Sequence, residues 1–395
     1  MDRRKLKQQV CEAVDDMRSE LLDLSHAIHA NPELSFQERK AAALLVGAIE
    51  RAGLDVVRGA YCLETAFEAE FGADAGPCVA LLAEYDALPD IGHACGHNLI
   101  AAASVGAGLA LARVANGLPG RVRILGTPGE ERGGGKELMA REGAFDSVDA
   151  ALMIHPAGVN LVNMPCLCMS ELEVTYRGRA AHASAMPERG INALDALVVG
   201  YQAIAALRQH IKAGERLHGI ITDGGQAPNI VPDTAAGHFF VRAANRDDLA
   251  ALKPRVEGCF QAGAAATGAA VEIGWSDVDY LDIHFNAPLA ESFQDNAEQL
   301  GREFFPVEQL PAFFQGSTDM GNVSHRVPSI HPMLASAPAH CAIHHQEFAR
   351  WAGSEMGDEA ALDGAKALAM TAVDFLCDEP LRERTRSWFE ESEQQ

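Results

Sequence analysis

Long apolar runs are missing from this 395-residue chain. No stretch of about 18 consecutive apolar residues occurs, the length a bilayer-crossing helix needs. The N-terminus, Met1-Asp2-Arg3-Arg4-Lys5-Leu6-Lys7, is charged and lacks the apolar centre of a secretion signal. Positive charge is scarce: 32 Lys and Arg stand against 55 Asp and Glu, for a net charge of −23. That balance disfavours nucleic acid and anionic membrane as partners. It leaves room for an anionic small molecule, because a few cations and a metal can reverse the field inside one cleft. The nine cysteines are an odd number without paired spacing. This points away from a disulfide framework and toward reduced thiols in the cytoplasm. No internal repeat, low-complexity linker or Gly-x-Ser-x-Gly nucleophile elbow stands out. What remains is an ordinary globular composition, 48% hydrophobic and 22% charged, long enough for two domains.

The stretch Glu84-Tyr85-Asp86-Ala87-Leu88-Pro89-Asp90-Ile91-Gly92-His93-Ala94-Cys95-Gly96-His97-Asn98 organises the rest. An apolar run over 78–83 precedes it and reads as a buried strand. An Ala- and Gly-rich run over 99–114 follows and reads as a buried helix. Sites in α/β sheets form beyond the carboxyl ends of strands, and a Cys-x-His pair beside Asp and Glu is metal-ligand chemistry. Upstream, 8–30 reads as one helix, and Ser35-Phe36-Gln37-Glu38 offers a capping box for a second through Ala52. Strand signals lie at 55–57, 66–71 and 79–83. Strands at 122–127 and 150–154 end in Pro128-Gly129-Glu130-Glu131 and in His155-Pro156. Helices between strands predict a mixed, mostly parallel sheet flanked by helices.

From about Cys168 the rhythm changes. Strand-like segments at 172–176, 218–222, 234–241 and 271–275 alternate with helical segments at 192–212 and 247–267. The order βαββαβ predicts an inserted ferredoxin-like α+β domain over 170–285. The first domain, 1–169, then resumes over 286–395, with a helix from Pro288 to Phe304 and another over 359–375. The polar tail from Arg382 reads as frayed.

Four loops carry ligand-type residues at strand ends or helix starts: Cys95 with His97, Glu130 with Glu131, His155, and the run His340 to His345. Together they point to a metal site. Two ions fit the ligand count better than one, because a bridging thiolate or carboxylate can hold two divalent ions about 3.5–4 Å apart. Such a pair polarises a carbonyl and acidifies water, and a separate carboxylate then takes the proton. Adjacent glutamates suit that division of labour.

At these residues the chain resembles the dinuclear metallopeptidases that include aminoacylase and glutamate carboxypeptidase. It is most similar to their amidohydrolase branch, in the p-aminobenzoyl-glutamate hydrolase and cytosolic dipeptidase-like group. The matching pieces run in family order: Glu84-Tyr85-Asp86-Ala87-Leu88-Pro89, His93-Ala94-Cys95-Gly96-His97-Asn98, Gly129-Glu130-Glu131, Ile154-His155-Pro156, Gly178-Arg179-Ala180-Ala181-His182-Ala183, Ala227-Pro228-Asn229-Ile230-Val231-Pro232, Gly316-Ser317-Thr318-Asp319 and His344-His345-Gln346-Glu347-Phe348. The resemblance implies a zinc-exopeptidase-like catalytic domain with an inserted lid and dimerisation domain. It implies two divalent ions, Zn or Mn with Co as an alternative. Cys95 would bridge them, and His97, Glu131, His155 and His344 would complete the ligands. Glu130 would be general base and then general acid. Asp86 would orient a ligand imidazole. His182 would cross a homodimer interface to stabilise the neighbouring subunit's oxyanion, with Asn229 holding the same group or a substrate carboxylate.

Asn98 and Thr318 depart from the larger amidohydrolase branch, which often has Asp and Glu there, and match the p-aminobenzoyl-glutamate hydrolase-like group. His344 and His345 compete for one role, and the spacing to Phe348 favours His344. Arg242 is a candidate clamp for a substrate carboxylate, or else a surface arginine paired with an acid. Cys166 and Cys168 read as ordinary thiols. The expected substrate is a small N-acyl or N-aroyl amino acid, cleaved at its amide. The alternatives are a dipeptidase with the same chemistry and a non-catalytic binding or scaffold homologue.

Overall fold

A computed structural model describes residues 2–309 and 316–392. The chain divides into two compact units, Met1–Pro165 with Ile283–Gln395, and Cys166–Asp282. Its strands, in chain order, are β1 (Val57–Arg58), β2 (Phe67–Gly72), β3 (Cys78–Ala83), β4 (Arg121–Gly126), β5 (Ala150–Leu152), β6 (His155–Ala157), β7 (Cys168–Arg177), β8 (Arg216–Asp223), β9 (Thr234–Ala243), β10 (Ala270–Trp275), β11 (Ser329–Ile330) and β12 (Met333–Ala335).

The first unit is built on a six-stranded sheet of order β1-β2-β4-β3-β5-β11. Strands β4, β3, β5 and β11 run parallel, and β1 and β2 are antiparallel additions at one edge. Strand β3 is apolar throughout and buried at every position, as expected for a strand covered on both faces. Burying each of Leu81 and Leu82 contributes roughly 1.5–3 kcal/mol. Helix His97–Arg113 is buried from His97 to Leu111, so it is apolar all round rather than striped. Because β4, β3 and β5 are parallel neighbours, their carboxyl ends lie side by side. The Thr127 amide donates to Ala83 O at 2.7 Å and ties the exits of β4 and β3 together. A parallel pair, β6 with β12, stands apart from the main sheet.

The second unit is a four-stranded antiparallel sheet of order β10-β7-β9-β8. Helices Ala193–Leu207 and Arg246–Thr267 connect β7 to β8 and β9 to β10. This is the ferredoxin-like βαββαβ arrangement. Strand β9 alternates buried odd-numbered and half-buried even-numbered residues, so one face meets the helices and the other stays open.

Four local expectations need correction. The N-terminal helix is two, Arg3–Asp16 and Arg18–His29, broken at Met17. Ser35 and Glu38 form no capping box: helix Arg39–Arg51 has no side-chain cap from Glu38. Glu33 Oε2 accepts the Lys40 and Ala41 amides instead, at 2.8 and 3.0 Å. The helix after Asn286 ends at Gln299, short of Phe304. The polar tail is a helix, Glu379–Ser392, because Leu381 and Thr385 are buried and Trp388 Nε1 donates to Phe285 O at 2.8 Å.

Candidate metal centre and active site

Every ligand candidate from the sequence lies in the first unit. Glu84 and Asp86 leave β3, Glu130 and Glu131 follow β4, and His155 opens β6. Gly96 has φ +78, and a Cβ there would lie 2.9 Å from Pro156, so glycine lets His97 begin its helix hard against β6.

Two of the donor clusters among the described residues share Cys95. Cys95, His97 and His155 offer donor atoms within 4.8 Å of one another, and so do Cys95, Glu131 and His344. Cys95 Sγ lies 3.4 Å from His155 Nε2 and 3.4 Å from His344 Nε2. His344 Nε2 is 3.5 Å from Glu131 Oε2. His344 has φ +62, unusual for a non-glycine residue, and its amide donates to Ala94 O at 2.8 Å. Backbone held in this region is typical of functional positions. His345 is used elsewhere. Its Nδ1 accepts the Glu347 amide at 3.3 Å and caps helix Gln346–Trp351. His340 is exposed and in neither cluster.

The partners behind these donors fix their tautomers. His155 Nδ1 donates to Pro156 O at 2.8 Å, so Nε2 turns a lone pair toward Cys95. Burial and neighbouring His97 push His155 down to about 4, which keeps it neutral. His97 Nδ1 lies 3.0 Å from Asp86 Oδ1. Asp86 Oδ2 accepts from Ser35 Oγ at 2.7 Å and from the Glu131 amide at 2.9 Å. Burial works against the Asp86 charge, but these donors win and hold its pKa below the usual carboxylate range. Asp86 therefore fixes both the His97 imidazole and the backbone of the Glu130-Glu131 loop.

Five buried carboxylates gather here: Glu84, Asp86, Glu130, Glu131 and Asp319. Lys136, fully buried, bonds Glu84 Oε2 and, at 2.7 Å, Asp319 Oδ1. One ammonium does not balance five acids, and unpaired buried charge is costly. Burial, then the charges of Glu84, Glu131 and Asp319, raise the Glu130 pKa well above the usual range. Burial and Glu131 raise the Cys95 thiol likewise. Glu84 Oε1, His97 Nε2 and Glu131 Oε1 are buried and complete no hydrogen bond. Uncompensated acids, a shared thiol and orphaned donor atoms fit divalent cations.

Lys136 is a structural partner that the sequence does not single out, while Asp319 and Glu38 stand in motifs the sequence does show but take roles there that it does not assign. Glu38 Oε1 accepts from the Phe36 amide at 2.8 Å and the Gly129 amide at 2.9 Å, while Oε2 accepts from Thr65 Oγ1 at 2.9 Å. Gly129 has φ +74, and a Cβ there would lie 2.5 Å from the Phe36 ring. The 33–38 loop thus grips the loop that carries Glu130. Burial and the Asp86 charge push Glu38 up to about 7. A carboxyl raised in the native state contributes stability that is full below its ordinary value of about 4.5 and lost as pH rises through about 7. Glu38→Gln keeps all three contacts, since the Thr65 hydroxyl can turn to accept. Its thermal midpoint in chelator is expected to vary less between pH 5 and 8 than that of wild type. At pH 8 it should be more stable by about 1–3 kcal/mol.

The remaining candidates lie in the second unit. His182 is exposed, and its Nδ1 accepts the Ser184 and Ala185 amides at 3.3 Å each, which leaves Nε2–H as a donor. His182 bridges Ile230, and the Ala183 amide donates to Asn229 O at 3.0 Å, so His182 and Asn229 are neighbours. Arg242 pairs with Met169 and Arg216 across the open face of the sheet and lies 5.9 Å from the Phe240 ring centroid. Cys168 Sγ bonds Asp282 Oδ1 at 3.2 Å and takes no part in either cluster.

The family model for peptidase family M20/M25/M40 matches residues 80–373, which spans every residue of the two clusters. The chain belongs to this family. It is a hydrolase of C–N bonds. It is 40% identical over 397 residues to the Xaa-Arg dipeptidase of Mus musculus, covering 97% of this chain and 92% of that one. It is 36% identical over 282 residues to one of the subunits of the p-aminobenzoyl-glutamate hydrolase of Escherichia coli K12, covering 66% of this chain and 58% of that one. A solved dinuclear metal binding peptidase of family M20 from Bacillus subtilis has the same fold, with TM-score 0.68 and 22% identity over 92% of this chain and 99% of that one. No helix among the described residues is long and apolar enough to cross a membrane.

Proposed function

We propose that this family M20 member is a dinuclear-metal dipeptidase, acting on a small amide whose leaving amine belongs to an amino acid with a free carboxylate. One observation carries the reading: Cys95 is common to two three-residue donor clusters, and Glu130, outside both, stands beside them. Cys95 would be shared, with His97 and His155 on one ion and Glu131 and His344 on the other. Zinc or manganese there, with cobalt as an alternative, would polarise the scissile carbonyl and acidify the attacking water. Glu130 takes that water's proton and returns it to the leaving amine. Asp86 keeps His97 in the tautomer a ligand needs. The need for a reduced Cys95 suits the cytoplasm.

In this reading a second copy of the chain completes the site, and His182 Nε2–H donates to the developing oxyanion across the interface. Asn229 and Arg242 receive the substrate carboxylate, Arg242 in bidentate fashion. Support for a homodimer comes from the second unit's surface. Strand β8 is an edge strand, and it exposes Ile220 and Ile221, while helix Ala193–Leu207 exposes Val198 and Val199. Such edges and apolar patches pair with another chain or are covered.

The likeness to the mouse Xaa-Arg dipeptidase, over nearly the full length of both chains, supports dipeptides ending in arginine as the first reading of the substrate. N-acyl and N-aroyl amino acids are the second reading, favoured by the p-aminobenzoyl-glutamate relative. Hydrolysis of a panel of Xaa-Arg and Xaa-Lys dipeptides against N-acetyl and N-aroyl amino acids, with Mn²⁺ or Zn²⁺ added, decides between them. The dipeptide reading fails if the N-acyl compounds show the higher kcat/KM. His182→Ala is expected to lose most turnover and keep its metal. Mixing it with inactive Glu130→Ala should restore part of the activity through mixed dimers. Recovery of none, with mixed dimers shown to form, would remove the cross-subunit role.

A further inference from the structure

Glu84 directly follows β3 and is fully buried. Its two oxygens meet different partners. Oε2 bonds Lys136 Nζ. Oε1 lies 3.0 Å from His97 Nε2, yet neither atom completes a hydrogen bond. On the far side of the same ring, His97 Nδ1 lies 3.0 Å from Asp86 Oδ1. Asp86 also receives the Ser35 hydroxyl and the Glu131 amide, so it acts as an acceptor, and the ring proton on Nδ1 goes to it. In the neutral ring Nε2 then presents a lone pair. Two lone pairs facing each other at 3.0 Å, away from water, repel unless a cation lies within reach of both. Lys136 is already engaged on the other oxygen and on Asp319. Glu84, His97 and Glu130 offer donor atoms within 4.8 Å of one another, a third buried cluster that shares His97 with the first.

We propose that Glu84 is itself a metal ligand through Oε1, holding an ion together with His97, with Lys136 as its permanent countercharge from behind. The inference rests on the metal centre proposed around Cys95 and adds a sixth ligand residue to that centre. Lys136 has two effects. It fixes which carboxylate oxygen faces His97, because the other is held. It also cancels one negative charge in a site that gathers several, so the ions meet a smaller excess of anion. The competing occupant of the gap is a proton. That would make Glu84 and His97 a structural ion pair, with no part for Glu84 in holding metal. The two readings differ in how many ions bind and how tightly.

The test uses the full-length protein and Mn²⁺ as probe, with bound metal per chain measured across a range of free Mn²⁺ by equilibrium dialysis and elemental analysis. Wild type is expected to bind two ions. Glu84→Gln should keep one and hold the other at least about 10-fold more weakly. It should also change the visible absorption of the Co²⁺-loaded protein, which reports coordination. Two ions bound by Glu84→Gln with wild-type affinity and an unchanged Co²⁺ spectrum would overturn the assignment. If wild type itself binds no Mn²⁺, or if Cys95→Ser binds two ions as tightly as wild type, the centre around Cys95 is what fails. Should Glu84→Gln not fold, as judged by circular dichroism, Glu84→Asp takes its place. It keeps a charge for Lys136 but withdraws Oε1, and the same weakening is expected.

Discussion

Replacing Glu130 by glutamine is expected to lower kcat by about 10²–10⁴-fold while both metals stay bound. Glutamine fills the same volume and still offers an oxygen, but it cannot take a proton. Glu130 lies outside the two clusters that share Cys95, and glutamine still offers an oxygen where Glu130 stands beside His97, so metal content should not follow activity down. Its carboxyl is raised by burial and by the charges of Glu84, Glu131 and Asp319, so it holds a proton more tightly than a solvated carboxylate, as a group that takes one from water must. KM should change little, because the lost interaction forms only as the water attacks. The measurement pairs steady-state kinetics with elemental analysis on one preparation. Turnover within threefold of wild type in a fully metallated variant would move the base elsewhere.

The second large effect belongs to Cys95. Chelation, or Cys95→Ser, is expected to reduce activity to background, since one sulfur serves both clusters. Zn²⁺, Mn²⁺ or Co²⁺ should restore the chelated wild type but restore the variant poorly. Stability should fall as well. An ion present at 100 times its Kd stabilises the native state by about 2.7 kcal/mol, and two ions by roughly twice that. Their removal also leaves five buried carboxylates facing one ammonium. A drop of several degrees in thermal midpoint should therefore accompany loss of metal. Acidification should do the same, because Cys95 and the imidazoles bind metal only when deprotonated. Full activity in a metal-free preparation would defeat the hydrolytic mechanism proposed here.

The donors are legible in the sequence because most of them follow an apolar run that must be a strand. Parallel neighbours bring those strand ends together, so Asp86, Glu131 and His155 converge although they are far apart in the chain. The layer behind them is less legible. Lys136 follows three glycines and reads as a solvated helix start, since lysine is rarely fully buried without partners. Its partners Glu84 and Asp319 lie 52 and 183 residues away. Glu38 fits a local capping pattern, but the Gly129 amide, 91 residues on, claims its carboxylate. The choice between His344 and His345 turns on a left-handed backbone at His344, which neither composition nor periodicity encodes. The break at Met17 lacks the proline or glycine that would announce it. The last helix holds too few apolar residues to show a stripe, and only its packing reveals it.

The ferredoxin-like unit begins and ends at the same place. Met169 and Tyr280 exchange both backbone hydrogen bonds, Met169 N to Tyr280 O at 2.8 Å and Tyr280 N to Met169 O at 2.9 Å. Ser276 N adds a third to Glu171 O at 2.9 Å. Entry and exit are thus zipped together, and the more than a hundred residues between them form one closed loop. Its own backbone closes the loop, so the unit does not depend on the rest of the chain to hold its two ends together. Residues 166–282 should therefore fold when expressed alone, with a cooperative thermal transition by circular dichroism as the check.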